Sequence, residues 1–129
     1  MNKTMHLGKK FELRFLADLD EGISKKIQYQ IFTPFLDDNG IDYVIRKSNG
    51  EYIEIQIKAR DKKRLFTIKN DFKARDNYWF VFYCEDNNEY KAYILPSKYV
   101  KKELENKASK HITINKNMKY NNFEDIFNA

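Results

Sequence analysis

The chain has one cysteine, Cys84, in 129 residues. That excludes a disulfide framework and any cysteine-based zinc cage, so the thiol is expected to be inert and buried. Four glycines and two prolines leave no glycine-rich loop to cradle a phosphate, and there is no low-complexity linker. There is no internal repeat, and no apolar run approaches the length of a membrane span. The N-terminus lacks an apolar signal core, so no membrane partner and a cytoplasmic location are expected. At this length a single domain covering 1–129 is expected, large enough to bury one core without staples.

What is present is a packed-core composition. Hydrophobic residues make up 42% and aromatics 16% of the chain, which argues against disorder. The net charge is +5 and the sequence pI is near 9.1. This balance favours a polyanionic partner over an acidic-surface-seeking one, although an ordinary solvated surface has the same balance.

Periodicity predicts a helix over Asn2–Glu21, where Leu7, Phe11, Phe15 (with Leu16) and Leu19 form one apolar stripe that Gly22 ends. Lys25–Phe35 alternates Ile27, Tyr29 and Ile31 with polar residues and predicts a strand closed by Pro34. Asp37-Asp38-Asn39-Gly40 predicts a turn. Ile41, Tyr43 and Ile45 then alternate with Asp42, Val44 and Arg46, and Ser48-Asn49-Gly50 makes the hairpin into a strand over Tyr52–Ala59. Tyr78–Cys84 is almost continuously apolar, as in a strand buried on both faces. A turn over Glu85–Asn88 leads to a strand over Glu89–Leu95. Ser97 is the expected cap of a helix whose stripe is Tyr99, Val100 and Leu104. His111–Ile114 predicts a short strand or extended tail, and Asn122–Phe127 a terminal helical turn docking Phe123, Ile126 and Phe127.

The chemistry concentrates on the hairpin. In its second strand Ile53, Ile55 and Ile57 face one way and Glu54, Gln56 and Lys58 the other, since successive side chains alternate. That polar face is either the wet side of an antiparallel sheet or a site. Asp42, across the hairpin, brings a carboxylate beside Gln56 and Lys58. Carboxylates, an amide oxygen and a lysine suit a hard divalent cation beside a phosphate.

With Asp42, the Gln56-Ile57-Lys58 triplet and Glu12 in the preceding helix (LGKKFELRFL), the chain resembles the PD-(D/E)XK nuclease superfamily. The likeness is greatest to the branch of Holliday-junction resolvases and restriction-type or repair nucleases. It covers roughly the first two-thirds of the chain. One departure is Gln56, which stands where the family's triplet usually has an acid. The resemblance implies an α/β, restriction endonuclease-like core: a helix, a mixed four- or five-stranded sheet, and a flanking C-terminal helix. It implies an Mg²⁺- or Mn²⁺-dependent DNA endonuclease in which Asp42 and Glu12 bind the metal and Gln56 offers its oxygen. Lys58 would orient or help deprotonate the attacking water, with Glu54 as a reserve ligand.

The basic stretch from Lys58 to Arg75 follows at once. Arg60, Lys62, Lys63, Arg64, Lys69 and Lys73, with Lys9 and Lys10 on the helix, are the expected contacts to duplex or branched DNA, because cations displace the condensed counterions of the backbone. Phe66 and Phe72 in this stretch are expected beneath the loop. A homodimer cutting two strands fits the chain's size. Two alternatives stand beside the nuclease: a catalytically inactive nucleic-acid-binding module, and a protein–protein interaction or accessory domain.

Overall fold

The computed structural model describes residues 3–35, 40–60, 64–69 and 71–128. It begins with α1 (Lys3–Gly22), whose Phe11, Phe15 and Leu19, one turn apart, are fully buried. Four-residue steps put them on one face, and that face lies on a sheet. Gly22 closes the helix for a packing reason: a Cβ there would sit 2.5 Å from the Phe123 ring.

The strands β1 (Tyr29–Phe32), β2 (Tyr43–Lys47), β3 (Tyr52–Ala59), β5 (Tyr78–Asp86) and β6 (Glu89–Pro96) form one sheet. Its order is β1-β2-β3-β5-β6. The pair β3–β5 is parallel and the other pairs are antiparallel. A second sheet pairs β4 (Leu65–Thr67) with β7 (His111–Thr113). The helix α2 (Ser97–Asn106) and the short α3 (Asp125–Asn128) complete the chain. This is the mixed α/β architecture expected, with five strands in the main sheet.

The main sheet separates two apolar layers. On one side Phe11, Phe15, Ile45, Ile55, Val81 and Tyr83 pack with Phe123 and Ile126. On the other, Phe80, Phe82 and Tyr93 pack with Phe66, Val100, Leu104 and Ile112. The interior strand β5, between β3 and β6, serves both layers, and for that reason Tyr78–Cys84 is buried throughout. No helix among the described residues is long and apolar enough to cross a membrane.

Several local expectations are corrected. β1 is only four residues long, because Ser24 turns the chain: Ile27 N donates to Ser24 O at 3.0 Å and Lys26 N to Ser24 Oγ at 3.2 Å. β5 runs on to Asp86, so the turn is Asn87-Asn88 alone, with φ of 53° and 66°. Asparagine tolerates that left-handed backbone better than most residues. Ser97 is not a cap. It is the first residue of α2, which has no side-chain cap hydrogen bond; its hydroxyl receives Arg75 N at 3.0 Å and donates to Arg75 O at 2.9 Å. Tyr99 is 38% exposed and stands apart from the buried Val100 and Leu104. β7 falls within His111–Ile114, expected as a short strand or extended tail, while its partner β4 lies in a stretch read as loop. The Asp37-Asp38-Asn39 part of the expected turn lies outside the described residues.

Candidate functional site

The hairpin forms as its turn chemistry requires. Gly50 has φ of 90°, Gly50 N donates to Lys47 O at 2.9 Å and Lys47 N to Glu51 O at 2.8 Å. Tyr43 pairs with Ile55, which sets Asp42 opposite Gln56. Asp42 N donates to Ile55 O at 2.8 Å, and the Asp42 carboxylate receives Ile57 N at 2.7 Å through Oδ2. The hairpin therefore does bring Asp42 to the triplet.

Glu54, Gln56 and Lys58 are half-buried, so their face is not a simple wet side. In register they lie beside Tyr78, Phe80 and Phe82 of β5. Gln56 and Lys58 line a cavity of about 680 Å³ together with Lys69, Lys73, Arg75 and Tyr78. Asp71 is the acid among its described lining residues. A shallower hollow of about 740 Å³ lies beside Tyr29, Gln30, Arg46 and Lys47 at the sheet edge. It contains none of the candidate residues.

Arg75 organises one wall. Its guanidinium forms an ion pair with Glu54, with Nε at 2.8 Å from Oε1. Arg75 Nη1 donates to Lys73 O at 2.9 Å, and the group lies 4.9 Å over the Tyr78 ring. The Tyr78 hydroxyl donates to Gln56 Oε1. Burial pushes the Tyr78 phenol up to about 12; the Arg75 guanidinium opposes the rise, and Glu54 and Asp42 add to it. The phenol therefore keeps its proton at neutral pH and has one to donate.

Glu12 comes from the other layer. It sits on α1, half-buried, and its carbonyl receives the Tyr43 hydroxyl at 2.9 Å. Burial raises the Tyr43 phenol, and the charges of Glu12 and Asp42 both raise it further. Two carboxylates, one from the helix and one from the hairpin, thus bear on one phenol. Glu12 does not line the cavity of Gln56 and Lys58.

For a hard cation the donors divide clearly. Glu54 is engaged with Arg75, and Gln56 Oε1 with Tyr78. Among the described residues no group of three or more His, Cys, Asp or Glu is placed to hold a metal. Asp42 itself receives Ile57 N through Oδ2, and Glu12 stands on α1 in the other layer.

The expected DNA contacts also divide. Lys69 and Lys73 are exposed and line the cavity. Lys9 and Lys10 are exposed on α1. Arg60 Nη1 donates to Leu65 O at 2.8 Å. Arg64 is turned inward, donating to Ile114 O at 2.7 Å and Glu85 O at 3.3 Å, 4.8 Å over the Tyr93 ring; it ties β4 to the main sheet. Lys62 and Lys63 lie outside the described residues. Phe66 is buried and Phe72 packs edge-on against Tyr78 and Phe80, as expected.

Tyr78 and Gly40 were not read as site residues, and Arg75 was read only as the end of the basic run, without its pairing to Glu54. Tyr78 read as plain core, and its place beside Glu54 depends on a parallel pairing that no local pattern encodes.

No protein-family model matches the chain, and no curated protein matches it. Among solved structures with a similar fold is a nuclease. The matching chain is described as the structure of a bacterial homing endonuclease, I-Ssp6803I. The TM-score is 0.55 at 16% identity, over 89% of this chain and 80% of that one. At that identity the likeness is one of fold.

Proposed function

We propose that the chain is a DNA endonuclease of the PD-(D/E)XK type, hydrolysing phosphodiester bonds with Mg²⁺ or Mn²⁺. The observation that carries the reading is the position of Asp42 opposite Gln56, a residue that lines a cavity together with Lys58, Lys69 and Lys73. The fold shared with a homing endonuclease supports it.

Asp42 and Glu12 would hold the cation, which lowers the pKa of its bound water and offsets charge on the transferring phosphoryl group. The side chains supply the rest. Lys58 orients the attacking water and steadies the phosphate oxygen as negative charge develops. Lys69 and Lys73 draw the DNA backbone to the cavity. A homodimer would address two strands, and sedimentation of the free chain and its DNA complex tests that arrangement.

The test of activity is incubation of supercoiled and linear duplex DNA with Mg²⁺ or Mn²⁺. Nicking or linearisation that disappears in Asp42→Ala and Lys58→Ala is the expected result. A binding-only module is the second reading, favoured by the neutralisation of Glu54 by Arg75 and by the amide at position 56. Metal-independent DNA binding without any cleavage by the wild-type chain would select it.

A further inference from the structure

The Gln56 side chain has two chemically opposite ends, an oxygen that accepts and an NH₂ that donates. The oxygen receives the Tyr78 hydroxyl. The amide lies against Gly40: of its atoms Nε2 is nearest the Cβ position of that glycine, at 2.8 Å, with Oε1 at 3.4 Å. Gly40 has φ of 73° and itself lines the cavity. A side chain at position 40 would be strained and would collide with the amide, so a glycine there lets the chain pass close over Gln56. Lys58, Lys69 and Lys73 line the same cavity. Asp71 is the acid among the described lining residues, so an anion seated against Gln56 would face the amide N–H and the exposed ammonium groups of Lys69 and Lys73 as well as that one carboxylate.

We propose that Gln56 donates its amide N–H to a phosphate oxygen, so that the cavity seats a nucleic-acid backbone phosphate directly, without an intervening metal. Tyr78 is the positioning residue that fixes which end of the amide faces the cavity. Its ring is held in turn by the Arg75 guanidinium and the Arg75–Glu54 ion pair. The inference rests on the DNA reading above and deepens it: the triplet's first residue serves the substrate, and the cation belongs to Asp42 and Glu12.

The test uses the full chain in EDTA, with two probes: a fluorescein-labelled duplex followed by anisotropy, and sodium sulfate followed through the Gln56 side-chain ¹⁵N–¹H signals. Wild type is expected to bind the duplex, more weakly as salt rises, and sulfate is expected to shift the Gln56 NH₂ signals. Gln56→Glu replaces a donor by a negative charge and should weaken duplex binding about tenfold or more, with Gln56→Ala intermediate. Tyr78→Phe should move the Gln56 NH₂ signals and weaken binding several-fold, a readout that loss of packing alone would not give. If Gln56→Glu does not fold, Gln56→Ala and Tyr78→Phe carry the test. Unchanged binding in Gln56→Ala, or gain of tight Mn²⁺ binding and faster cleavage in Gln56→Glu, overturns the proposal in favour of a cation ligand at position 56. Sulfate shifts without duplex binding uphold the anion seat and sink the DNA reading; neither response sinks both.

Discussion

The backbone N–H of Ile57 donates to Asp42 Oδ2 across the hairpin at 2.7 Å. One carboxylate oxygen is thereby fixed by the strand that bears the triplet, and a candidate catalytic acid doubles as a structural acceptor. The two roles separate by mutation. Asp42→Ala removes the acceptor and is expected to cost about 1–3 kcal/mol in urea unfolding. Asp42→Asn keeps an acceptor and should cost less than about 1 kcal/mol, while losing the charge that metal-dependent cleavage requires. Equal stability losses in the two variants would refute the structural half of this account.

Ser97 is fully buried, and its hydroxyl bridges the backbone N–H and carbonyl of Arg75. It fastens the start of α2 to the loop that carries the guanidinium. Ser97→Ala leaves both backbone groups unsatisfied and is expected to destabilise the chain by about 1–3 kcal/mol, measured by chemical denaturation. DNA affinity should fall with it, as Arg75 loses its anchor.

Alkaline pH probes the buried phenols. Tyr78 is held up to about 12, against an ordinary value of 10.0. Tyr83 is raised too, by burial and by its hydroxyl's hydrogen bond to Asp18 at 2.8 Å. A pKa higher in the folded chain than in the unfolded one means that the unfolded chain releases its proton first. The stabilisation is therefore whole below about pH 10 and decays as pH climbs toward 12, by at most about 1.4 kcal/mol per unit for each phenol. Unfolding midpoints between pH 9 and 12, read beside tyrosinate absorbance, check this; a flat profile would contradict it.

Cys84 sits in the same interior. Burial pushes its thiol up to about 11 from 9.0, against a small opposing effect of Arg64. Thiolate is the reactive form, so the native chain at pH 8 should resist a disulfide reagent that labels the urea-unfolded chain at once.

The Asn87-Asn88 turn has both residues in the left-handed region. Asn-Gly is the favoured pair for such a turn. Asn88→Gly should be neutral to stabilising, by up to about 0.5 kcal/mol in thermal or urea unfolding. A loss above about 1 kcal/mol would mean that the Asn88 side chain does more than turn the chain.

Much of the fold was legible because it is written in short-range pattern. The stripe Phe11, Phe15, Leu19 encodes a helix, Asn49-Gly50 encodes a turn, and the apolar run Tyr78–Cys84 encodes an interior strand. The approach of Asp42 to Gln56 was legible as well, since a tight hairpin fixes its own register. Long-range pairing was not. Nothing local says that Leu65–Thr67 meets His111–Thr113, or that β3 lies parallel to β5 and so sets Tyr78 beside Glu54. Arg64 and Arg75 look alike in sequence with Lys69 and Lys73, yet Arg64 is drawn to carbonyls and Arg75 to a carboxylate. Charge type alone does not distinguish a cation facing solvent from one that fastens the fold.

The parallel alignment of β3 and β5 has a final consequence. Strands running the same way cannot be joined by a tight turn, so the chain must leave the sheet and return to its starting end. Residues 60–77 make that journey, and on the way they raise one side of the cavity while the hairpin supplies its floor. Exchanging the excursion, with its few anchoring side chains kept, would retune what the cavity accepts and leave Asp42, Gln56 and Lys58 where they stand.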